Sequence, residues 1–158
     1  MKKVLLLLLM ALLTACNMDK GTSTLRDTTD SKYHIGEEYT FKARPSEPNA
    51  MLTVLKIEHQ DSTGNIIHVR VDSVKVKNSE NPVKYSQVIT HMPFSEAALD
   101  SSALRRIGEV KVIPDYQEGY DEWRTIFEKG GAGVFSIPVG KAVEYMELTM
   151  LKGQTVKE

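Results

Sequence analysis

Four histidines, His34, His59, His68 and His91, and a single cysteine, Cys16, are the side chains best suited to chemistry near neutral pH. No two of the histidines stand in a helical metal-binding spacing, and none neighbours a cysteine, so no zinc set is spelled out. Neither a metal nor a cofactor is expected. His68 and Glu58 fall on two segments, Met51 to His59 and Ile66 to Val76, that read as a hairpin around the turn-rich stretch Gln60 to Asn65. Pairing Leu55 with Val71 and Ile57 with Val69 gathers those side chains and Ile67 on one face. Lys56, Glu58, His68, Arg70 and Asp72 then share the other. In that register His68 lies opposite Glu58, as a carboxylate-imidazole pair suited to general-base work or as a solvated cross-strand contact. His91 stands at a strand end just before a capped helix, where active-site residues often occur, but no Ser or Cys nucleophile motif accompanies it.

The remaining motifs have structural readings. There is no Gly-x-Ser-x-Gly elbow, and Ser95, Ser101 and Ser102 suit a helix cap and helix surface. Asp115, Glu118, Asp121 and Glu122 complement a helix dipole and cap. Gly130-Gly131-Ala132-Gly133 lacks the Lys-Ser/Thr of a phosphate loop and reads as a helix C-cap with a turn. Tyr116, Tyr120, Trp123 and Phe127 recur at i, i+4, i+7 and i+11, a stripe that packs a helix on a sheet. Tyr116, Tyr120 and Trp123 are also residue types that anchor partner proteins.

The elements that must position these residues are strands first and helices later. Tyr33 to Phe41 alternates around Gly36 as a bulged or edge strand, the hairpin follows, and Tyr85 to His91 adds a strand after the loop Asn78 to Pro82. Ser95 caps a helix expected to reach about Ile107, with Phe94 and Leu99 as its hydrophobic staple. Asp115 and Glu118 form a capping box for the aromatic-striped helix. Val134 to Ile137 suits a short buried strand, and Pro138 opens a last helix with Val139, Val143, Met146 and Met150 on one face, ending at Gly153. The expected class is α+β, an antiparallel sheet of four to five strands packed by three helices. His91-Met-Pro-Phe-Ser95, Pro114-Asp-Tyr116, Trp123 and Gly133-Val-Phe-Ser-Ile-Pro138 resemble a family of small uncharacterised bacterial proteins, a likeness that brings no function with it.

The chain has 158 residues, 20 Lys+Arg against 21 Asp+Glu and 41% apolar residues, unevenly spread. Lys2 and Lys3 precede the apolar run Val4 to Leu13, which is too short for a bilayer span of about 20 residues. The run ends in Leu13-Thr14-Ala15-Cys16. This pattern resembles the signal and lipobox of bacterial lipoproteins. The resemblance implies cleavage after Ala15, a diacylglyceryl thioether on Cys16 and acylation of the new amino terminus, with palmitate as the familiar acyl group. With a single cysteine in the chain, no intramolecular disulfide competes for that thiol. Two or more acyl chains make anchoring stable. Asn17, where an Asp would favour inner-membrane retention, points by the same resemblance to the periplasmic face of the outer membrane.

Without the signal, residues 1–15, the chain carries 18 Lys+Arg against 21 Asp+Glu, a net −3. Residues 16–32, rich in Thr, Ser and Asp, read as the lipidated cysteine and a flexible tether reaching about 20–25 Å. Residues 33–152 form one domain, and 153–158 a tail. Scattered basic residues and this location exclude nucleic acid as a partner. The expectation is a membrane-anchored domain that binds a protein, as a toxin-neutralising immunity protein or an envelope assembly or maintenance factor. The alternative is an envelope enzyme using His91 or His68 with Glu58.

Overall fold

The computed structural model describes residues 24–78 and 84–155. The signal, Cys16 and most of the loop Asn78 to Pro82 lie outside the described residues. The fold is α+β. The elements are β1 (Arg26–Asp27), β2 (Glu37–Thr40), β3 (Met51–Gln60), β4 (Gly64–Lys77), β5 (Tyr85–Ser95), α1 (Glu96–Asp100), β6 (Arg105–Glu109), α2 (Gln117–Phe127) and α3 (Val139–Thr155). The strands form one antiparallel sheet in the order β5-β4-β3-β2-β6, with β1 pairing β3 beside β2. No helix among the described residues is long and apolar enough to cross a membrane.

Both faces of the sheet are covered. Ile67, Val69, Met92 and Phe94 join α1 residues Ala98 and Leu99 and α3 residues Val139, Ala142 and Val143 in the main core. Ile66 joins Tyr120 and Trp123 of α2 in a second cluster. Successive strand side chains point to opposite faces, so α2 packs on the face away from α1 and α3. Two-sided covering explains why β3 is buried along most of its length.

Several expectations are corrected. The hairpin pairs Ile57 with Ile67 and Leu52 with Val71, with a register shift between Val54 and Lys56. Ile57 and Leu55 are therefore not opposite Val69 and Val71. The turn closes on Gly64, whose φ of +80° suits glycine, and the pairing is displaced by two residues at Ile57 and by three at Val71, beyond the shift between Val54 and Lys56. The segment Tyr33 to Phe41 narrows to β2, which lies inside the sheet between β3 and β6; of the two readings it is the irregular strand, with a register shift between Glu38 and Tyr39, and not the edge strand.

α1 stops at Asp100 because the chain turns through Ala103, at φ +54°, and Arg105 to Glu109 pairs with β2. Its start follows the expected signals: Ser95 Oγ accepts from Ala98 N at 3.2 Å, and Phe94 and Leu99 are buried. The box Asp115/Glu118 does not form. Tyr116 is the N-cap residue without a side-chain cap bond, and Asp115 Oδ1 instead accepts from Gln117 N. Among the described residues Val134 to Ile137 makes only one bridge, Phe135 to Phe94, and Ile137 is exposed. α3 runs past Gly153 to Thr155, and Met150 is exposed.

Ser102 is buried and not on a helix surface. It donates to Ala98 O at 2.7 Å and accepts from Val139 N at 2.9 Å, stitching the end of α1 to the start of α3.

Residues 24–32, assigned by composition to the tether, belong to the packed unit. Arg26 and Asp27 pair with His59 and Glu58, Leu25 packs on the second cluster, and Asn65 Nδ2 donates to Asp30 O. Backbone pairing on the open edge of β3 supplies what the polar side chains lack.

Candidate functional site: a buried histidine-carboxylate cluster under α2

Glu58 on β3, His68 on β4 and His91 on β5 project from the sheet face covered by α2. His68 is registered against Lys56 on β3 and Pro93 on β5. Glu58 and His91 are thus its diagonal neighbours, within reach of long side chains. His68 Nδ1 and His91 Nε2 are 2.8 Å apart, and His68 Nε2 stands 3.1 Å from Glu58 Oε2. That second approach is close enough for an ion pair but lies off line for a hydrogen bond, and neither atom has another hydrogen-bond partner among the described residues. Tyr120 donates its hydroxyl proton to Glu58 Oε1 at 2.8 Å, and Arg124 Nη1 donates to the Tyr120 oxygen at 3.0 Å. Lys56 Nζ is 3.6 Å from Glu58 Oε1 and also pairs with Asp27 of β1.

The aromatic stripe closes the cluster. The Trp123 and Tyr120 rings meet the His68 ring edge-on, with centroids 4.9 and 5.3 Å away. Trp123 Nε1 donates to Gly133 O, which pins α2 to the segment that follows it. Gly119 lets the helix come this close, since a Cβ there would sit 3.0 Å from His91 Cβ. His68 is 0% exposed, Glu58 2%, Tyr120 5%, Trp123 8% and His91 9%.

Burial sets the protonation states. It holds the His91 imidazole down to about 3, helped by the charge His68 would carry. Burial also lowers His68, although Glu58 pulls the other way. For Glu58, burial alone would raise the carboxyl. Contact with His68 and Tyr120, the charge His68 would carry and the charge of Lys56 outweigh it and hold the carboxyl below its ordinary range. At neutral pH the cluster therefore holds an ionised Glu58 between neutral imidazoles and the Lys56 ammonium.

One tautomer pattern fits this arrangement: His91 Nε2–H donates to His68 Nδ1, and His68 turns Nε2–H toward the Glu58 carboxylate. A carboxylate that orients an imidazole is general-base hardware, but a base must come within about 3 Å of a substrate proton. None of the four main grooves among the described residues is lined by Glu58, His68 or His91. A groove of about 370 Å³ at Asp27, Lys56 and Tyr116 stops at the rim of the cluster. The network thus ties α2 and β1 to three strands.

Compared with family models, curated proteins and solved structures, the chain matches none. The geometry thus stands alone. It brings together Glu58, His68, His91, Tyr120 and Trp123 as one interior unit, with Tyr116 at its margin. The Glu58–His68 pair, open to solvent in the hairpin reading, is under a helix. Tyr120 and Trp123 are committed to the interior and offer no surface to a partner. His34 and His59 lie outside the cluster, at Glu37 and Asn65. Among the described residues no group of three His, Cys, Asp or Glu side chains is arranged to hold a metal.

Sequence reasoning missed a second region at the far end of the sheet. Two open grooves there, about 640 and 490 Å³, share Arg44 and Ser46. Arg44 pairs with Glu47 and Glu147, and donates to Lys75 O at 3.0 Å. The alternation of Lys75 and Lys77 along β4 was the signal available, but the segment Lys42 to Ser46 joins it only through the fold.

Proposed function

We propose that this chain is a lipoprotein of the bacterial envelope, acylated at Cys16, whose domain works by binding another protein through its grooved basic end. The observation that carries this reading is a contrast between two regions. The residues suited to catalysis are sealed beneath α2, whereas two open grooves that share Arg44 and Ser46 are lined by Lys42, Arg44, Lys75, Lys77 and Lys141. Open grooves lined by charged side chains with apolar surface between them suit recognition of a complementary protein segment. An immunity protein meeting an incoming toxin and an assembly or maintenance factor meeting an envelope component would both use such a surface. The signal pattern favours the periplasmic face of the outer membrane as its location.

The test is in-cell crosslinking with a photoreactive residue at Ser46, in the shared wall of the grooves, and as control at Glu122 on the outside of α2. One adduct of defined mass at Ser46 and none at Glu122 is the expected result. Adducts at Glu122 alone would contradict it. Replacing Cys16 by Ser should move the chain out of the membrane fraction, and retention there would overturn the anchor.

A further inference from the structure

Charge and position at the grooved end identify the partner's chemistry. Of the five cations, Arg44 is matched by Glu47 and Glu147, and Lys141 by Glu144. Lys42, Lys75 and Lys77 are exposed and have no carboxylate within ion-pair distance among the described residues. With Glu47, Glu144 and Glu147 set against the five cations, and the Lys75 charge felt by Glu47, a surplus of two positive charges gathers here on a chain whose net charge beyond the signal is −3. Pro45, Pro138 and Tyr85 interleave apolar surface with them. Such a lining fits carboxylates spaced by apolar side chains better than it fits a uniformly charged polymer.

The route of the chain favours a protein over a lipid headgroup. β1 enters beside the β3–β4 turn, where Arg26 pairs with Asp61 at 2.7 Å. Lys75 and Lys77 lie at the opposite end of β4, at most about 36–43 Å from Gly64 at the strand rise. The eight steps from Cys16 to Thr24 span at most about 28 Å. The grooves therefore lie at the end of the sheet opposite the one where β1 enters.

We infer that the two grooves dock an acidic, partly apolar, extended segment of an envelope protein, its carboxylates meeting Lys42, Lys75 and Lys77. This rests on the anchored-binder reading above.

The experiment uses the full acylated chain in neutral detergent micelles and a labelled short peptide alternating Glu with Leu and Ala, followed by fluorescence anisotropy. The Glu peptide should bind, its Gln analogue should not, and affinity should fall about tenfold or more in the Lys75→Glu/Lys77→Glu variant and at high salt. The Lys75→Gln/Lys77→Gln pair, which adds no repulsion with Glu147, should be intermediate. Equal binding of both peptides, or no dependence on the two lysines, overturns the inference. So does sedimentation of the Cys16→Ser chain with phosphatidylglycerol vesicles through the same lysines, which would make a headgroup the ligand. A Ser46 adduct that the Glu peptide fails to displace would leave the binding reading standing and remove the acidic segment alone. The anchor is tested separately, by membrane fractionation of Cys16→Ser.

Discussion

His68 Nδ1 and His91 Nε2 share a proton across 2.8 Å inside the protein, on a sheet face that α2 closes to solvent. One imidazole must donate and the other accept, and Glu58 beyond His68 fixes which. The same contact that looks like catalytic hardware makes the interior sensitive to acid.

Stability should fall with acidification from about pH 6.5. His91 titrates near 6.5 when unfolded and at about 3 when folded, so between those values the unfolded chain binds more protons. Its contribution is complete above 6.5 and is lost as pH falls toward 3. His68, also lowered, acts in the same direction, and Glu58 adds a loss below its ordinary carboxyl range. Each proton taken up costs about 1.4 kcal/mol per pH unit. Urea midpoints measured from pH 8 to pH 4 should decline, and His91→Gln, whose amide can still donate to His68 Nδ1, should decline less steeply. A flat wild-type profile would contradict neutral buried imidazoles beside an ionised Glu58.

Removing the carboxylate should be far worse than neutralising it. Glu58→Ala leaves the Tyr120 hydroxyl without its buried acceptor, His68 Nε2 without the carboxylate it faces and the Lys56 ammonium with Asp27 alone, a loss of about 3–5 kcal/mol. Glu58→Gln keeps one acceptor for Tyr120 and should cost less. Denaturant unfolding of the two variants at pH 7 checks this, and equal losses would show that the carboxylate is not what α2 rests on.

Gly140 should invert the usual glycine rule. In an open helix position Gly→Ala stabilises by about 1 kcal/mol. Here the added Cβ would stand 2.6 Å from the backbone oxygen of Lys42, which cannot swing aside as a side chain would. Gly140→Ala should therefore lower the thermal midpoint by forcing α3 off the segment that follows β2. An unchanged or higher midpoint would mean that the contact yields easily.

Much of the fold was legible in the sequence, because local signals agree with tertiary packing. The hairpin segments, the Ser95 cap, the Phe94–Leu99 staple and the α2 aromatic stripe all act through near neighbours. What was not legible depends on distant partners. Arg105 to Glu109 becomes β6 because β2 offers an edge, and Leu25 to Asp27 is ordered by β3. For the site, residue type selected Glu58, His68 and His91, and the stripe selected Tyr120 and Trp123. Periodicity on one helix could not tell that the stripe covers the histidines, nor could charge counting bring Arg44 onto Lys75 O.

The most direct measurement compares Ser46 crosslinking in the full-length chain among three backgrounds: wild type, Lys75→Glu/Lys77→Glu and His91→Gln, each with its unfolding midpoint recorded at pH 7. If the grooves bind and the cluster only holds α2, His91→Gln keeps the adduct and the lysine pair loses it. A folded His91→Gln chain that loses the adduct while the lysine variant keeps it would contradict that division and return function to the histidines.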